Sequence, residues 1–243
     1  MVSSGLAYSA FVGTAALVSL GVKKIEERRL GYRRHENYRF VAVGCLLGAV
    51  VGAKLGLLLY EPWSEVLQVG RNIADFRFDG KTILGALAGG YAFGEITKWL
   101  VGVTFSTGDA LAVALPVGQA IGRVGCFFGG CCYGTATQVP WAVMQAGALR
   151  HPVQLYEAVL DAGLAAVLFS IRDRPRTPGH LFRYYLIGYG VLRIGIEAFR
   201  GEPQRMLGPI GFAQIFSAAG VLVVSVSLLR ANSAKNQSTI GPS

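Results

Sequence analysis

Long apolar runs separated by short polar segments recur along almost the whole chain. The apolar stretches span approximately residues 3–22, 38–60, 82–103, 108–128, 152–171, 182–200 and 207–230. Each is about 20 residues long, the length that a helix needs to cross the hydrocarbon core of a bilayer. The sequence lacks the alternating segments of about 10 residues that are typical of a membrane β-barrel. The pattern therefore predicts an all-α, polytopic integral membrane protein with about seven transmembrane helices.

Two stretches depart from a simple apolar helix. The fourth contains Pro116 and several glycines, which would interrupt it or make it partly re-entrant. The first lacks the basic start of a signal peptide, because its lysines follow it, so we interpret it as a retained span. We expect residues 1–230 to form one transmembrane domain, residues 61–80 an external loop, and residues 231–243 a disordered cytoplasmic tail.

Composition and charge support a membrane protein and give it an orientation. Hydrophobic residues make up 52% of the 243 residues and charged residues only 15%, whereas soluble domains carry about 25% charged residues. The net charge is +9, and the basic residues concentrate in segments 23–39 and 172–183 and in the tail. By the positive-inside rule these segments are cytoplasmic, which places the N-terminus outside. The basic balance therefore requires no nucleic-acid partner.

Charged residues inside the apolar stretches are the candidates for function, because a charge near the bilayer centre costs at least about 2.5–3.5 kcal/mol. In the sixth stretch Tyr189, Arg193, Glu197 and Arg200 fall within an arc of about 80° on a helix. One interpretation is an internal ladder of ion pairs, in which Glu197 pairs with both arginines. The other is a site for an anionic ligand, since guanidinium groups match phosphate oxygens.

The fourth stretch places Arg123 and Gln119 among glycines. Gly122 and Gly125 allow a neighbouring helix or a bound headgroup to approach the backbone closely. Tight helix packing with a snorkelling arginine is the alternative interpretation. Arg123 lies deep enough in the stretch to favour a functional role.

The fifth stretch opens on residues that combine a possible base with a polar face. His151 precedes Pro152, which suits the first turn of a helix, and Gln154, Glu157 and Asp161 share one face. His151 is the only histidine on the predicted external side. It is either an interfacial residue or a general base, since imidazole titrates near neutral pH.

Three of the four cysteines, Cys126, Cys131 and Cys132, lie close together in the sequence. Four interpretations stay open: packing of small thiols, a disulfide, a metal site and a reactive thiol beside Arg123. The C-x4-C-C spacing does not match the paired C-x2-C units of most zinc sites.

Four segments together resemble the prolipoprotein diacylglyceryl transferase family. Segment 122–134 (GRVGCFFGGCCYG) is similar to its Gly-Arg signature, and segment 151–158 (HPVQLYEA) to its His-Pro-Ser-Gln-Leu-Tyr-Glu-Ala motif. Segment 193–203 (RIGIEAFRGEP) resembles its Arg-Phe-x-x-Glu-Phe-Phe-Arg-x-Pro stretch, and segment 51–55 (VGAKL) the Gly-Ala-Arg-Leu of its second span. The agreement in order and spacing extends from about residue 5 to residue 230.

The resemblance implies a multi-pass enzyme of the bacterial plasma membrane. It would transfer a diacylglyceryl group from phosphatidylglycerol to the lipobox cysteine of a preprolipoprotein, forming a thioether and releasing glycerol phosphate. By motif, the catalytic residues would be Arg123, Arg193, Glu197 and His151. Substrate binding would involve Arg200, Tyr189, Gly122, Gly125, Gln154, Tyr156 and Glu157. The expected partners are phosphatidylglycerol, membrane lipid and the preprolipoprotein, and neither a cofactor nor a metal is expected.

The chain departs from the family signature at three positions. Cys126 and Gly129 replace its asparagines, and Cys131 replaces its glutamate; no histidine occurs in segment 79–82, where the family has His-Gly-Gly. Two alternatives follow. The chain would be a paralogue that transfers the diacylglyceryl group to a different acceptor, or a lipid-binding or transport protein without enzymatic activity.

Overall fold

The computed structural model describes residues 2–32, 35–58, 83–174, 177–201, 205–207 and 210–239. In these residues the chain is mostly helical, as predicted. The helices are α1 Val2–Arg29, α2 Tyr38–Leu58, α3 Ile83–Val101, α4 Asp109–Ala112, α5 Ala114–Gly129, α6 Val153–Ile171, α7 His180–Ile196 and α8 Phe212–Thr239. The described residues also contain two short antiparallel hairpins. In the first, β1 Val143–Gln145 pairs with β2 Ala148–Arg150, and in the second, β3 Arg205–Leu207 pairs with β4 Ile210–Gly211.

Five helical segments of the described chain are long and apolar enough to cross a membrane. They are Gly5–Arg29, Tyr38–Leu55, Asp109–Gly129, Val153–Ile171 and Phe212–Arg230. Helix α3 contains Glu95 and Lys98, which lower its hydropathy, and α7 is only 17 residues long. A multi-pass membrane protein is therefore confirmed, while the count of seven spans stays a prediction. The predicted external loop 61–80 lies outside the described residues.

Residues 31–105 form one compact unit, built on the pairing of α2 with α3. The two helices approach so closely that glycine is required at the contact. A Cβ atom on Gly52 would collide with the carbonyl oxygen of Gly85, and one on Gly89 would collide with that of Gly48. Small residues at a contact of this kind are typical of helices that pack within membranes.

The second unit, residues 1–30 and 106–243, contains the other helices. At one end of this unit the carboxylate of Glu26 on α1 is fully buried between two arginines. It lies 2.7 Å from Arg29 and 2.7 Å from Arg172, which follows α6, and Arg29 also lies 3.0 Å from Asp173. The C-terminal ends of α1 and α6 therefore meet at the same end of the unit.

The fourth apolar stretch is interrupted shortly before Pro116, as that proline predicts, whereas the glycines do not break helix α5 before Gly130. Val113 separates the short helix α4 from α5, and Pro116 lies in the first turn of α5, where a backbone N–H has no partner within the helix. Asp109 of α4 is buried, and its carboxylate accepts hydrogen bonds from the backbone N–H groups of Gly179 (2.6 Å) and Phe182 (2.9 Å). Asp109 thus caps the first turn of α7 from another helix.

Helix α7 ends earlier than the apolar stretch 182–200 predicts. The α-helix stops at Ile196, Glu197–Phe199 form a 3-10 turn, and Arg200 is extended. Segment 133–135 supplies the backbone partners instead of another helical turn: Thr135 N–H donates to Phe199 (2.9 Å) and Gly201 N–H donates to the carbonyl of Tyr133 (3.1 Å). The prediction of one continuous helix through Arg200 is therefore wrong beyond Ile196.

Candidate active site

The carboxylate of Glu157 on α6 is the centre of a cluster of arginines. Oε2 of Glu157 lies 2.7 Å from Nε of Arg123 on α5. Oε1 lies 3.3 Å from Nη1 of Arg200 and 3.6 Å from Nη1 of Arg193 on α7. The side chain of Glu157 is only 6% exposed. The residue assigned to substrate binding from its motif therefore holds three guanidinium groups together.

Glu197 has a smaller part in this cluster than its sequence spacing predicts. Its carboxylate lies 2.7 Å from Nη1 of Arg193, so the expected i,i+4 pair is confirmed. Among the described ion pairs, Arg200 contacts Glu157 and not Glu197. The predicted pair of Glu197 with Arg200 is wrong because the chain leaves helical geometry after Ile196, and an i,i+3 neighbour no longer lies on the same face. Three guanidinium groups thus contact two carboxylates.

A small pocket opens beside the cluster between α5, α6 and α7. Its lining residues are Arg123, Glu157, Leu160, Asp161, Tyr189, Leu192, Arg193 and Ile196. The hydroxyl of Tyr189 is buried and has no hydrogen-bond partner among the described residues. A buried hydroxyl without a partner is costly, so it points to a ligand that would accept its hydrogen bond. A lining that combines arginines and a phenol with aliphatic residues suits an anionic group that carries apolar chains.

The structure supports the polar face predicted for α6. Gln154, Glu157 and Asp161 are all buried. The amide nitrogen of Gln154 donates to the carbonyl of Cys131 at 2.7 Å, so this side chain holds the loop after α5. Asp161 lies on the same face and lines the pocket.

The two glycines assigned to the site have different surroundings. A Cβ atom on Gly125 would lie 2.7 Å from the Cβ atom of Phe11 on α1, whereas one on Gly122 would meet nothing within 4 Å. Gly125 therefore serves the packing of α5 against α1. Gly122 faces open space.

His151 belongs to a separate aromatic group and is not among the residues that line the pocket. Nδ1 of His151 lies 3.2 Å from the hydroxyl of Tyr156, which also accepts a hydrogen bond of 2.7 Å from the indole of Trp141. The imidazole ring lies 5.4 Å from the ring of Phe199, the residue before Arg200. His151 and Tyr156 thus lie next to the segment that carries Arg200.

The three clustered cysteines come together at the end of α5. Their Sγ atoms all lie within 4.8 Å of one another, and all three are free thiols. Hydrogen bonds with the thiols of Cys126 and Cys131 lower the pKa of the Cys132 thiol, and the charges of Arg123 and Arg200 lower it further against the effect of burial. Hydrogen bonds with the other two thiols raise the pKa of Cys131. The cluster thus lies beside the arginines.

Comparison with known proteins shows the family to which the chain belongs. The family model of prolipoprotein diacylglyceryl transferase matches residues 5–230. A phosphatidylglycerol–prolipoprotein diacylglyceryl transferase of Clostridioides difficile is 32% identical over 81% of this chain and 79% of its own length. Proteins of the same name from Bordetella avium (33%; 84% and 78%) and Rhodospirillum centenum (35%; 76% and 72%) are similar.

The match covers every element that contributes to the arginine cluster and the pocket. It includes the Gly-Arg segment of α5, the Gln154–Glu157 face of α6 and the Tyr189–Arg200 segment. The resemblance inferred from four short motifs is confirmed over most of the chain. The protein belongs to the prolipoprotein diacylglyceryl transferase family and is a membrane-embedded transferase.

Proposed function

We propose that the protein transfers the diacylglyceryl group of phosphatidylglycerol to the lipobox cysteine of a preprolipoprotein, with the reaction centre in the arginine pocket. One observation carries the assignment of the site: Arg123, Arg193 and Arg200 converge on Glu157 beside a partly apolar pocket. The relatives are named for both substrates, phosphatidylglycerol and prolipoprotein.

The phosphodiester of phosphatidylglycerol would be bound by the guanidinium groups of this cluster, which outnumber the two carboxylates that contact them. Arg123 and Arg193 line the pocket directly, and the unpartnered hydroxyl of Tyr189 would donate a hydrogen bond to a phosphate oxygen. The carboxylates of Glu157 and Glu197 would hold the guanidinium groups in place. The aliphatic side chains of Leu160, Leu192 and Ile196 would contact the apolar part of the lipid.

In the reaction the acceptor sulfur would attack the glyceryl carbon that bears the phosphate. A C–S bond forms, the C–O bond breaks, and the electron pair leaves with the phosphate oxygen of glycerol phosphate. Negative charge grows on the phosphate during this step, and arginines already in place stabilise it without reorganisation. The role of the cluster is therefore to stabilise the leaving group.

The acceptor thiol must lose its proton for this attack. His151 is the candidate base, because its ring contacts Phe199 and so lies next to the Arg200 segment. Tyr156 would orient the imidazole through its contact with Nδ1. This assignment predicts that His151→Gln, which removes the titratable group, lowers the transfer rate more than the affinity for lipid.

We propose seven spans in the bacterial plasma membrane, with the N-terminus outside and the C-terminus in the cytoplasm. The contact of the C-terminal ends of α1 and α6 supports this topology, since both would be cytoplasmic ends. The buried Glu26 there is paired with Arg172, which belongs to a basic segment of the kind that the positive-inside rule assigns to the cytoplasm.

A second candidate is a transferase of the same lipid group to a different acceptor. This candidate is favoured by the departures from the family signature at Cys126, Gly129 and Cys131. Complementation of a strain that lacks its own transferase separates the two. The first proposal predicts restored lipidation of lipoproteins, and an Arg193→Ala variant should fail to restore it. An altered lipid class with lipoproteins unmodified would instead identify the second.

A further inference from the structure

The three cysteine thiols after Arg123 have the geometry of a metal site. The Sγ atoms of Cys126, Cys131 and Cys132 lie within 4.8 Å of one another. A tetrahedral zinc ion with Zn–S bonds of about 2.3 Å holds its sulfur ligands about 3.8 Å apart. The thiols therefore need to move by no more than about 1 Å to bind a common ion.

The backbone around the thiols is built to bring them together. Helix α5 ends at a left-handed Gly130, whose N–H bonds to the carbonyls of Cys126 and Phe127, and the N–H of Cys131 also bonds to Cys126 (3.2 Å). This turn folds Cys131 back over the last turn of α5. Cys132 then adopts a φ of 58°, which is uncommon for a residue with a side chain and costs energy.

Two further contacts fix the loop that carries the thiols. The side chain of Gln154, itself fully buried, donates to the carbonyl of Cys131. The next residues, Tyr133 and Gly134, are held by backbone contacts to Gly201 and His151. Contacts of its backbone with other elements therefore hold the loop that carries Cys131 and Cys132.

We propose that Cys126, Cys131 and Cys132 are three thiolate ligands for a single soft metal ion of the zinc type, which leaves a fourth coordination position open for the acceptor thiol. Three protein ligands with one open position are the arrangement of catalytic zinc sites, whereas structural sites have four protein ligands. Thiolates select zinc and copper(I) among the available metals. The thiols are partly exposed, so an ion and a fourth ligand can reach them.

The charges around the three cysteines favour a bound divalent metal ion. Three thiolates around a divalent ion carry a net charge of −1. Arg123 and Cys126 lie at i,i+3 on helix α5, so the guanidinium group of Arg123 offsets part of that charge. Paired C-x2-C motifs are absent from the sequence, so the spacing alone does not reveal a site that depends on the turn at Gly130.

The role of the open position rests on the proposed transfer to a thiol. On binding, the acceptor S–H would give its proton to solvent or to a base, and the sulfur would coordinate the ion as a thiolate. That thiolate would attack the glyceryl carbon, with the C–O bond breaking and its electron pair leaving on the phosphate. The product thioether is neutral and a weaker ligand, so it would leave the ion. No oxidant or reductant is needed.

Metal analysis of the full chain, purified in detergent without oxidation, tests the site. We expect about one bound zinc per chain after dialysis. Cys126→Ser, Cys131→Ser and Cys132→Ser should each weaken zinc binding by at least about 100-fold, since even outer-shell changes cost about 10–100-fold. Cys45→Ser, which alters the one cysteine outside the cluster, should retain the ion.

Replacement of zinc by cobalt(II) tests the geometry and the open position independently of turnover. We expect thiolate-to-cobalt charge-transfer bands that each cluster variant weakens and Cys45→Ser leaves unchanged. A peptide with a lipobox cysteine should shift these bands, and the same peptide with serine should not. Helical circular dichroism, measured alongside, shows whether a serine variant that fails to bind cobalt is still folded.

The outcomes separate this inference from the proposed function. No metal in any form of the wild-type chain, or a disulfide between two of the three cysteines in protein purified from cells, would overturn the site. Metal-free protein that still transfers lipid at the full rate would overturn the role of the ion while leaving the proposed function intact. Metal binding with no transfer to the lipobox peptide would leave the site standing and contradict the proposed function.

Discussion

The carboxylate of Glu157 lies 2.7 Å from Nε of Arg123, and neither side chain is more than 10% exposed. The same carboxylate also contacts Arg193 and Arg200. A buried charge is tolerated only when it is paired. One residue of α6 therefore fixes the positions of three cations contributed by α5, α7 and the segment after α7.

Arg123→Lys should lower kcat by about 10²–10³-fold, the usual cost of removing one group that stabilises developing negative charge. Lysine keeps the positive charge near Glu157 but loses the planar fork that matches phosphate oxygens. The measurement is the rate of transfer from labelled phosphatidylglycerol. Arg29→Lys is the matched control, because Arg29 pairs with Glu26 and Asp173 and takes no part in the pocket; its rate should stay close to that of the wild type.

Glu157→Gln should lower the free energy of unfolding by about 3–5 kcal/mol, since it leaves three arginines without their common carboxylate. Thermal unfolding in detergent, followed by circular dichroism, measures the change. Added phosphatidylglycerol should stabilise this variant more than the wild type, because the phosphate would replace the lost negative charge. Glu197→Gln should cost less, since among the described ion pairs Glu197 contacts Arg193 alone. Equal stability of Glu157→Gln and the wild type would contradict the central position of Glu157.

Tyr189→Phe should leave the stability of the lipid-free protein nearly unchanged, because the hydroxyl that it removes has no hydrogen-bond partner among the described residues. The affinity for phosphatidylglycerol or the transfer rate should fall. Tyr185→Phe is the opposite case: its hydroxyl donates to Gln119 at 3.1 Å, so its loss should cost about 1 kcal/mol of stability. A loss of stability in Tyr189→Phe with unchanged lipid binding would contradict the assignment of Tyr189 to the lipid.

Asp109→Ala should destabilise the protein by about 1–2 kcal/mol, since it removes the cap of helix α7. Two backbone N–H groups, of Gly179 and Phe182, would lose their acceptor. Unfolding midpoints in detergent measure the effect, and Asp173→Ala, with a side chain 70% exposed, provides the control. An effect of Asp109→Ala no larger than that of the control would show that the cap is dispensable.

The sequence predicts the helical elements of this protein better than their ends. Apolar runs predict α2 and α6 closely, because a span needs about 20 apolar residues whatever its neighbours are. The end of α7 at Ile196 was not predicted, because it depends on backbone hydrogen bonds to segment 133–135, which is distant in the sequence. Hydropathy carries no information about such contacts.

The sequence likewise predicts only a part of the candidate site. The pair Arg193–Glu197 follows from helical spacing, and the structure confirms it. The convergence of Arg123 and Arg200 on Glu157 joins separate segments of the chain, so no periodicity predicts it. Sequence spacing also does not predict that the three thiols lie close together, because their proximity depends on the left-handed turn at Gly130.

The most direct test of the account is a transfer assay with purified protein, phosphatidylglycerol labelled in its diacylglyceryl group and a lipobox peptide, analysed by mass spectrometry. The account predicts that the peptide gains the diacylglyceryl group as a thioether on its cysteine, that glycerol phosphate appears in equal amount, and that Arg193→Ala abolishes both products. Unmodified peptide and intact lipid, from wild-type protein that is folded and binds phosphatidylglycerol, would contradict it.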